Sequence, residues 1–188
     1  MFKYIILGLL GFSLACSTSK NSIENETELY SFKIELTTTS DYCGGVSPTP
    51  EVEEELNTPI PRPNTKIHFR KGSSNAIDEE IDYTFNSDEN GVVKGKLPLG
   101  TYSIVYSDKK DREAFSKVYD NYKDGTPSHK PINKECLENH FAKPEGLLEI
   151  EKDKQNELKL NYRKPCPWMA IPCTVYTGNL PPSVGREE

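Results

Sequence analysis

The chain has 188 residues, with 23 Lys and Arg against 29 Asp and Glu, for a formal net charge of −6. That acidity, with no basic patch carrying interleaved aromatics, argues against nucleic acid as a partner. Charged residues make up 28% of the chain, yet Tyr 10 and Phe 7 supply aromatic area for one real core.

The first element is an export signal. Lys3 gives a positive start, and Tyr4 to Phe12 form an apolar run. The run is far shorter than the roughly 20 residues that span a bilayer, so it reads as a signal core rather than an anchor helix. It ends in Ser13-Leu14-Ala15-Cys16. This ending resembles a bacterial lipobox, with Leu14 and Ala15 in place and Ser13 departing from the usual leucine. The resemblance implies cleavage after residue 15 and diacylation of the Cys16 sulfur. Two or more acyl chains hold a protein stably on a membrane. Residues 16–28 are polar, without a core-forming pattern, and read as a flexible tether.

Tyr30, Phe32, Ile34 and Leu36 alternate with polar residues, which predicts a half-buried strand. Asp41 to Asn64 is a Pro-rich connection. Within it, Thr49-Pro50 followed by Glu51, Glu53 and Glu54 predicts a short helix, with Val52 and Leu56 on one face. Thr65 to Lys71 is a second strand with Ile67 and Phe69 inward and His68 at the solvent or the rim. Glu80 to Phe85 is a third. Ser87 to Gly91 is a turn, Val92 to Leu97 a fourth strand, Pro98-Leu99-Gly100 a corner, and Thr101 to Ser107 a fifth strand.

Asp108 is placed to cap a helix running to about Lys123, whose stripe Phe115, Val118, Tyr119 and Tyr122 is expected to dock on the sheet. A second helix is expected from about Pro131, with Ile132, Cys136, Leu137, His140 and Phe141 on one side. Leu147 to Glu151 and Glu157 to Arg163 read as the last two strands. The expected division is a sandwich domain over 29–164, a helical insertion at about 108–142, and a Pro-rich tail over 165–188.

With Cys16 set aside, Cys43, Cys136, Cys166 and Cys173 remain, an even number that in an exported protein predicts two disulfides. If the first and last strands run parallel and adjacent, their C-terminal ends meet, which pairs Cys43 with the Cys166/Cys173 segment. The rival is a local Cys166–Cys173 loop stiffened by Pro167 and Pro172.

Asp88, Gly91, Leu97, Pro98, Gly100 and Tyr102 form a further pattern: an Asp-x-x-Gly turn, a strand, then a Pro-x-Gly-x-Tyr corner. This pattern resembles the signature of carboxypeptidase-regulatory-like domains. The resemblance covers roughly Lys66 to Asp108. It implies an all-β, prealbumin-like (transthyretin-like) β-sandwich, here with one or two short inserted helices. It carries no catalytic residues. In physical terms, the two glycines serve positive φ, Pro98 ends ladder pairing, and Tyr102 puts its ring inside and its hydroxyl at the edge.

Candidate chemistry is sparse. Asp88, Glu89 and Asn90 offer oxygen ligands for calcium, but they also suit a polar hairpin turn. Cys136 and His140 lie at i, i+4, with His129 near in sequence; with the C-terminal cysteines they could hold zinc or copper. The acidic runs Glu53 to Glu55 and Asp78 to Glu80 read as solvated faces rather than glycosidase acids. No Gly-x-Ser-x-Gly elbow occurs. Trp168, the lone tryptophan, and Tyr176 are the candidate contacts for a partner, with packing as the plainer role for Trp168.

The sequence reading is therefore a lipid-anchored envelope protein of the bacterial outer membrane, on the periplasmic leaflet in preference to the surface. It is a non-enzymatic module contacting protein or glycan, with no cofactor. The alternative is a metal-binding or redox protein using Cys136, His140 and the C-terminal cysteines.

Overall fold

The computed structural model describes residues 28–180. The signal segment, Cys16, most of the tether and residues 181–188 lie outside the described residues. Alternation carries the first strand: β1 (Tyr30–Ser40) buries Phe32, Ile34 and Leu36. Along one edge it pairs antiparallel with β5 (Val92–Leu97), and further along with the two-residue β2 (Ile60–Pro61). Along the other edge β8 (Asn156–Lys164) runs parallel to it from Phe32↔Asn156 to Ser40↔Lys164. The second sheet has the order β4 (Tyr83–Asn86), β3 (Lys66–Lys71), β6 (Gly100–Tyr106), β7 (Gly146–Ile150), all antiparallel.

The two four-stranded sheets face each other across one core. Phe32, Phe69 and Phe85 form its aromatic centre, with ring centroids 5.1 to 5.5 Å apart. The architecture is thus a β-sandwich with short helices. The helix α1 (Pro50–Asn57) begins where Thr49 accepts from Val52 N, but none of its residues is buried. The third strand starts three residues later than the alternation predicts, because Glu80 to Asp82 belong to the loop that precedes it.

The turn and corner residues adopt the predicted geometry. Asp88 Oδ1 accepts from the N–H groups of Asn90 and Val92, both at 2.9 Å. Gly91 has φ +74°, and a Cβ there would lie 2.6 Å from the Leu36 carbonyl oxygen, so only glycine fits. Gly100 has φ +140°. The Tyr102 ring is fully buried, and its hydroxyl donates to the Pro98 carbonyl at 3.1 Å. Burial, with the neighbouring Tyr83 and Asp82, pushes its phenol up to about 12.

Between β6 and β7 the insertion differs from expectation in three ways. Asp108 lies inside a 3-10 turn (Ser107–Lys109), and the cap of α2 (Arg112–Tyr122) is Asp111, whose Oδ1 accepts from Ala114 N at 2.9 Å. The helix α3 (Lys134–Ala142) starts after Asn133 rather than at Pro131, because Asn133 supplies the capping oxygen to Cys136 N. The apolar stripe of α2 does not dock on the sheet. Phe115 packs instead with Ile132, Leu137 and Phe141 in a second core, flanked by Val118, Tyr119 and Tyr122. The reason lies in β3, whose outward residues His68 and Arg70 are polar and offer no apolar strip.

Removing the cap tests this boundary. Asp111→Ala is expected to cost about 1 kcal/mol and to increase hydrogen exchange in the first turn of α2. Unchanged exchange there would move the helix start elsewhere.

Candidate functional site

A cleft of about 710 Å³ lies between the end of the sandwich and the helical insertion. Tyr106 at the end of β6 and Tyr162 on β8 form its sandwich side. Ala114 and Val118 of α2 line the insertion side. Its volume lies in the range of small-ligand sites. Arg62 lies against both tyrosines, with its guanidinium carbon 4.4 Å from the Tyr106 ring centre and 4.7 Å from that of Tyr162. Burial raises the Tyr106 phenol pKa, and Arg62 opposes that shift.

Met169 to Pro172 add a further wall; they belong to a strap, Cys166-Pro167-Trp168-Met169-Ala170-Ile171-Pro172-Cys173, bonded at both ends. Cys43 and Cys166 are joined where β1 and the parallel β8 end, with Cα atoms 5.5 Å apart. Cys136 of α3 is joined to Cys173, with Cα atoms 5.6 Å apart. One bond therefore fixes the strap to the sandwich and the other fixes it to the insertion. The topological argument for Cys43 holds, and the local Cys166–Cys173 loop does not form. Just beyond the strap, backbone bonds tie residues 173–177 to the segment before α3. Lys130 N donates to Val175 O, Asn133 N to Cys173 O and Thr177 N to Ser128 O, all within 2.9 Å.

Charges around the cleft are mostly paired. Lys109, itself buried, donates to Glu145 Oε1 at 2.8 Å and to the Lys143 carbonyl at 2.7 Å. Lys110 pairs with Asp111 at 2.8 Å, and Arg163 pairs with Asp41. His140 is half-buried on the cleft wall. Burial lowers its pKa, and Lys109 adds to that.

His68 is neither at the rim nor in solvent. It is 7% exposed, on the outer face of β3 beneath the insertion. The alternation placed it correctly opposite Ile67 and Phe69, but period two does not say that a later segment covers that face. Its Nδ1 lies 2.9 Å from Thr84 Oγ1, and its Nε2 lies 3.1 Å from Ser107 Oγ. Ser107 is exposed and lines the cleft. Burial lowers the His68 pKa, helped by Lys110, Lys66 and Arg70 and opposed by Asp111.

The other predicted residues are dispersed. Cys16 lies outside the described residues. Trp168 is half-buried in the strap's 3-10 turn (Pro167–Met169). Tyr176 stacks edge-on against His129, with centroids 5.1 Å apart, and its hydroxyl donates to Asn179 O. Cys136 is exposed and is four residues from His140, but its sulfur is bonded to Cys173. Asp88 is engaged with its own turn. Among the described residues no cluster of three His, Cys, Asp or Glu side chains is placed to hold a metal. Sequence reasoning missed the cleft, Arg62 and the Ser107–His68–Thr84 relay. Their members come from four strands and linkers far apart in the chain, and no local spacing marks them. Compared with protein-family models, curated proteins and solved structures, the chain finds no match.

Proposed function

We propose that this chain is a lipid-anchored module of the bacterial envelope, built on a prealbumin-like sandwich, that holds a protein or glycan partner at the cleft. The pair of disulfides carries this reading. Bonds joining Cys43 to Cys166 and Cys136 to Cys173 belong to an oxidising, extracytoplasmic compartment. The lipobox-like Cys16 supplies the anchor, and the polar stretch after it supplies reach.

The prealbumin-like assignment draws support from the Asp88 turn, the Gly100 corner and the Tyr102–Pro98 bond. Polarity along β1 supports the placement of the cleft. The tether enters at Tyr30, whereas Tyr162 at the cleft pairs with Thr38 near the other end. At about 3.3 Å per residue the strand spans roughly 35 Å, so the cleft faces away from the anchored end. This geometry suits a partner in the periplasm or beyond it, with the outer membrane's periplasmic leaflet as the proposed location.

The test is fractionation of wild type and Cys16→Ser, combined with protease shaving of intact cells. The wild type is expected in the membrane fraction and Cys16→Ser in the soluble fraction. Equal fractionation of the two would remove the lipid anchor from the proposal.

A further inference from the structure

We propose that Ser107, His68 and Thr84 form an acyl-transfer site at the edge of the cleft, with Ser107 as a nucleophile toward carboxylic esters. The proposal goes beyond partner binding and needs neither the lipid anchor nor the identity of a partner.

Three observations carry it. Ser107 is exposed on the cleft wall, while the histidine it touches is buried. The nucleophile-to-base distance is 3.1 Å and the base-to-hydroxyl distance 2.9 Å, so the base is held by a third group on its far nitrogen. That is the geometric requirement for activating a serine, whatever the fold or the chain order. The cleft beside Ser107 is large enough to hold an acyl chain and part of the alcohol that carries it.

The roles follow from proton positions. In the reactive tautomer Nδ1 carries the hydrogen and donates it to Thr84 Oγ1, which leaves the Nε2 lone pair facing the Ser107 hydroxyl. As Ser107 Oγ bonds to the ester carbonyl carbon, its proton passes to Nε2. The carbon–oxygen bond to the leaving alcohol then breaks, and that alcohol takes the proton from Nε2. A water molecule repeats the sequence on the acyl-serine, releasing a carboxylic acid and restoring Ser107. Thr84 is a positioning residue, because it acts only through His68.

The surroundings narrow the substrate class. Lys110 on the insertion and Lys66 and Arg70 on β3 act on the imidazole with positive charge, and among the described residues Asp111 opposes them. His68 therefore stays neutral and able to accept a proton at neutral pH, but the imidazolium it becomes is poorly stabilised. Thr84 replaces the carboxylate that serine hydrolase triads use for that purpose, and loss of such a carboxylate costs about 10⁴ in turnover. The site thus favours esters with acidic leaving alcohols over amides, and acylation is easier to observe than turnover.

The experiment uses the disulfide-intact chain with p-nitrophenyl acetate and a fluorophosphonate probe, read by intact mass and peptide mapping. A single adduct on Ser107 is expected, absent in Ser107→Ala. His68→Gln is expected to slow labelling by about 100-fold or more, and Thr84→Val by less. Labelling of the wild type should rise as pH passes upward through the lowered His68 pKa. Near-UV circular dichroism checks that each variant is folded. Because Ser107 is exposed, Ser107→Ala keeps the test decisive even if His68→Gln does not fold. No adduct, an adduct elsewhere, or a labelling rate unchanged in folded His68→Gln or without pH dependence would overturn the proposal.

Discussion

Arg70→Ala is expected to destabilise the fold by about 3–5 kcal/mol. Arg70 is 2% exposed, the largest fully buried side chain among the described residues. It forms no ion pair among them. Its Nε and Nη2 donate to the Glu79 carbonyl at 3.3 and 3.0 Å, Nη2 also donates to the Lys110 carbonyl, and Nη1 donates to Asn75 Oδ1. Asn75, equally buried, donates onward to the carbonyls of Lys109 and Phe141 at 2.7 and 2.8 Å. One guanidinium thus ties β3 to the loop before β4, to Lys110 just after the 3-10 turn and, through Asn75, to that turn and to α3. Burial holds its pKa below the ordinary arginine value, with Asp111, Glu79 and Asp82 pulling the other way.

Truncation to alanine leaves a cavity and buried carbonyls without donors, and both terms destabilise. Arg70→Met keeps most of the volume and loses only the donors, so it is expected to cost about 1–3 kcal/mol. Arg70→Lys does not restore the wild type, because an ammonium cannot reproduce the planar fork. Equilibrium urea unfolding of the oxidised protein measures all three. A loss below 1 kcal/mol for Arg70→Ala would mean that the network is solvated and the insertion is held elsewhere.

The same network shows why parts of the fold were legible in the sequence and others were not. Phe32-x-Ile34-x-Leu36 and Ile67-x-Phe69 reveal strands because burial on one face imposes period two. The Asp88–Gly91 turn is visible because its residues serve local geometry. The Cys43–Cys166 end was accessible through topology, since two parallel neighbouring strands must end together. His68 and Arg70 were not legible in this way. Alternation gives the face of a residue but not whether a segment 40 positions later covers it. Helix boundaries failed for a related reason: Asp108 and Asp111 are both competent caps, and the choice depends on a 3-10 turn, Ser107–Lys109, that local spacing does not mark. The strap has no periodicity at all. Its order comes from two disulfides, the turn bond from Met169 N to Cys166 O, and the bond from Asn133 N to Cys173 O.

The two disulfides are expected to differ in what they protect. Replacing Cys43 and Cys166 together by serine releases a closure spanning 123 residues; replacing Cys136 and Cys173 releases one of 37. Constraint of the unfolded chain gives roughly 5 and roughly 4 kcal/mol for these lengths, values that measured disulfides reach or fall below. The folded-state consequences separate more sharply. Without Cys43–Cys166, β1 and β8 still pair along nine positions, from Phe32 to Ser40, so the native sandwich persists and the loss is global stability. Without Cys136–Cys173, the strap keeps its anchor on the sandwich but loses its bond to α3, and Cys173 no longer seals the second core. Unfolding midpoints should therefore fall most for Cys43→Ser/Cys166→Ser. Hydrogen exchange should rise selectively in α3 and 167–177 for Cys136→Ser/Cys173→Ser, with β1 and β8 unchanged. Exchange that rises evenly through β1 and β8 in the second variant would show that insertion and sandwich unfold as one unit, and that the strap is not an independent wall of the cleft.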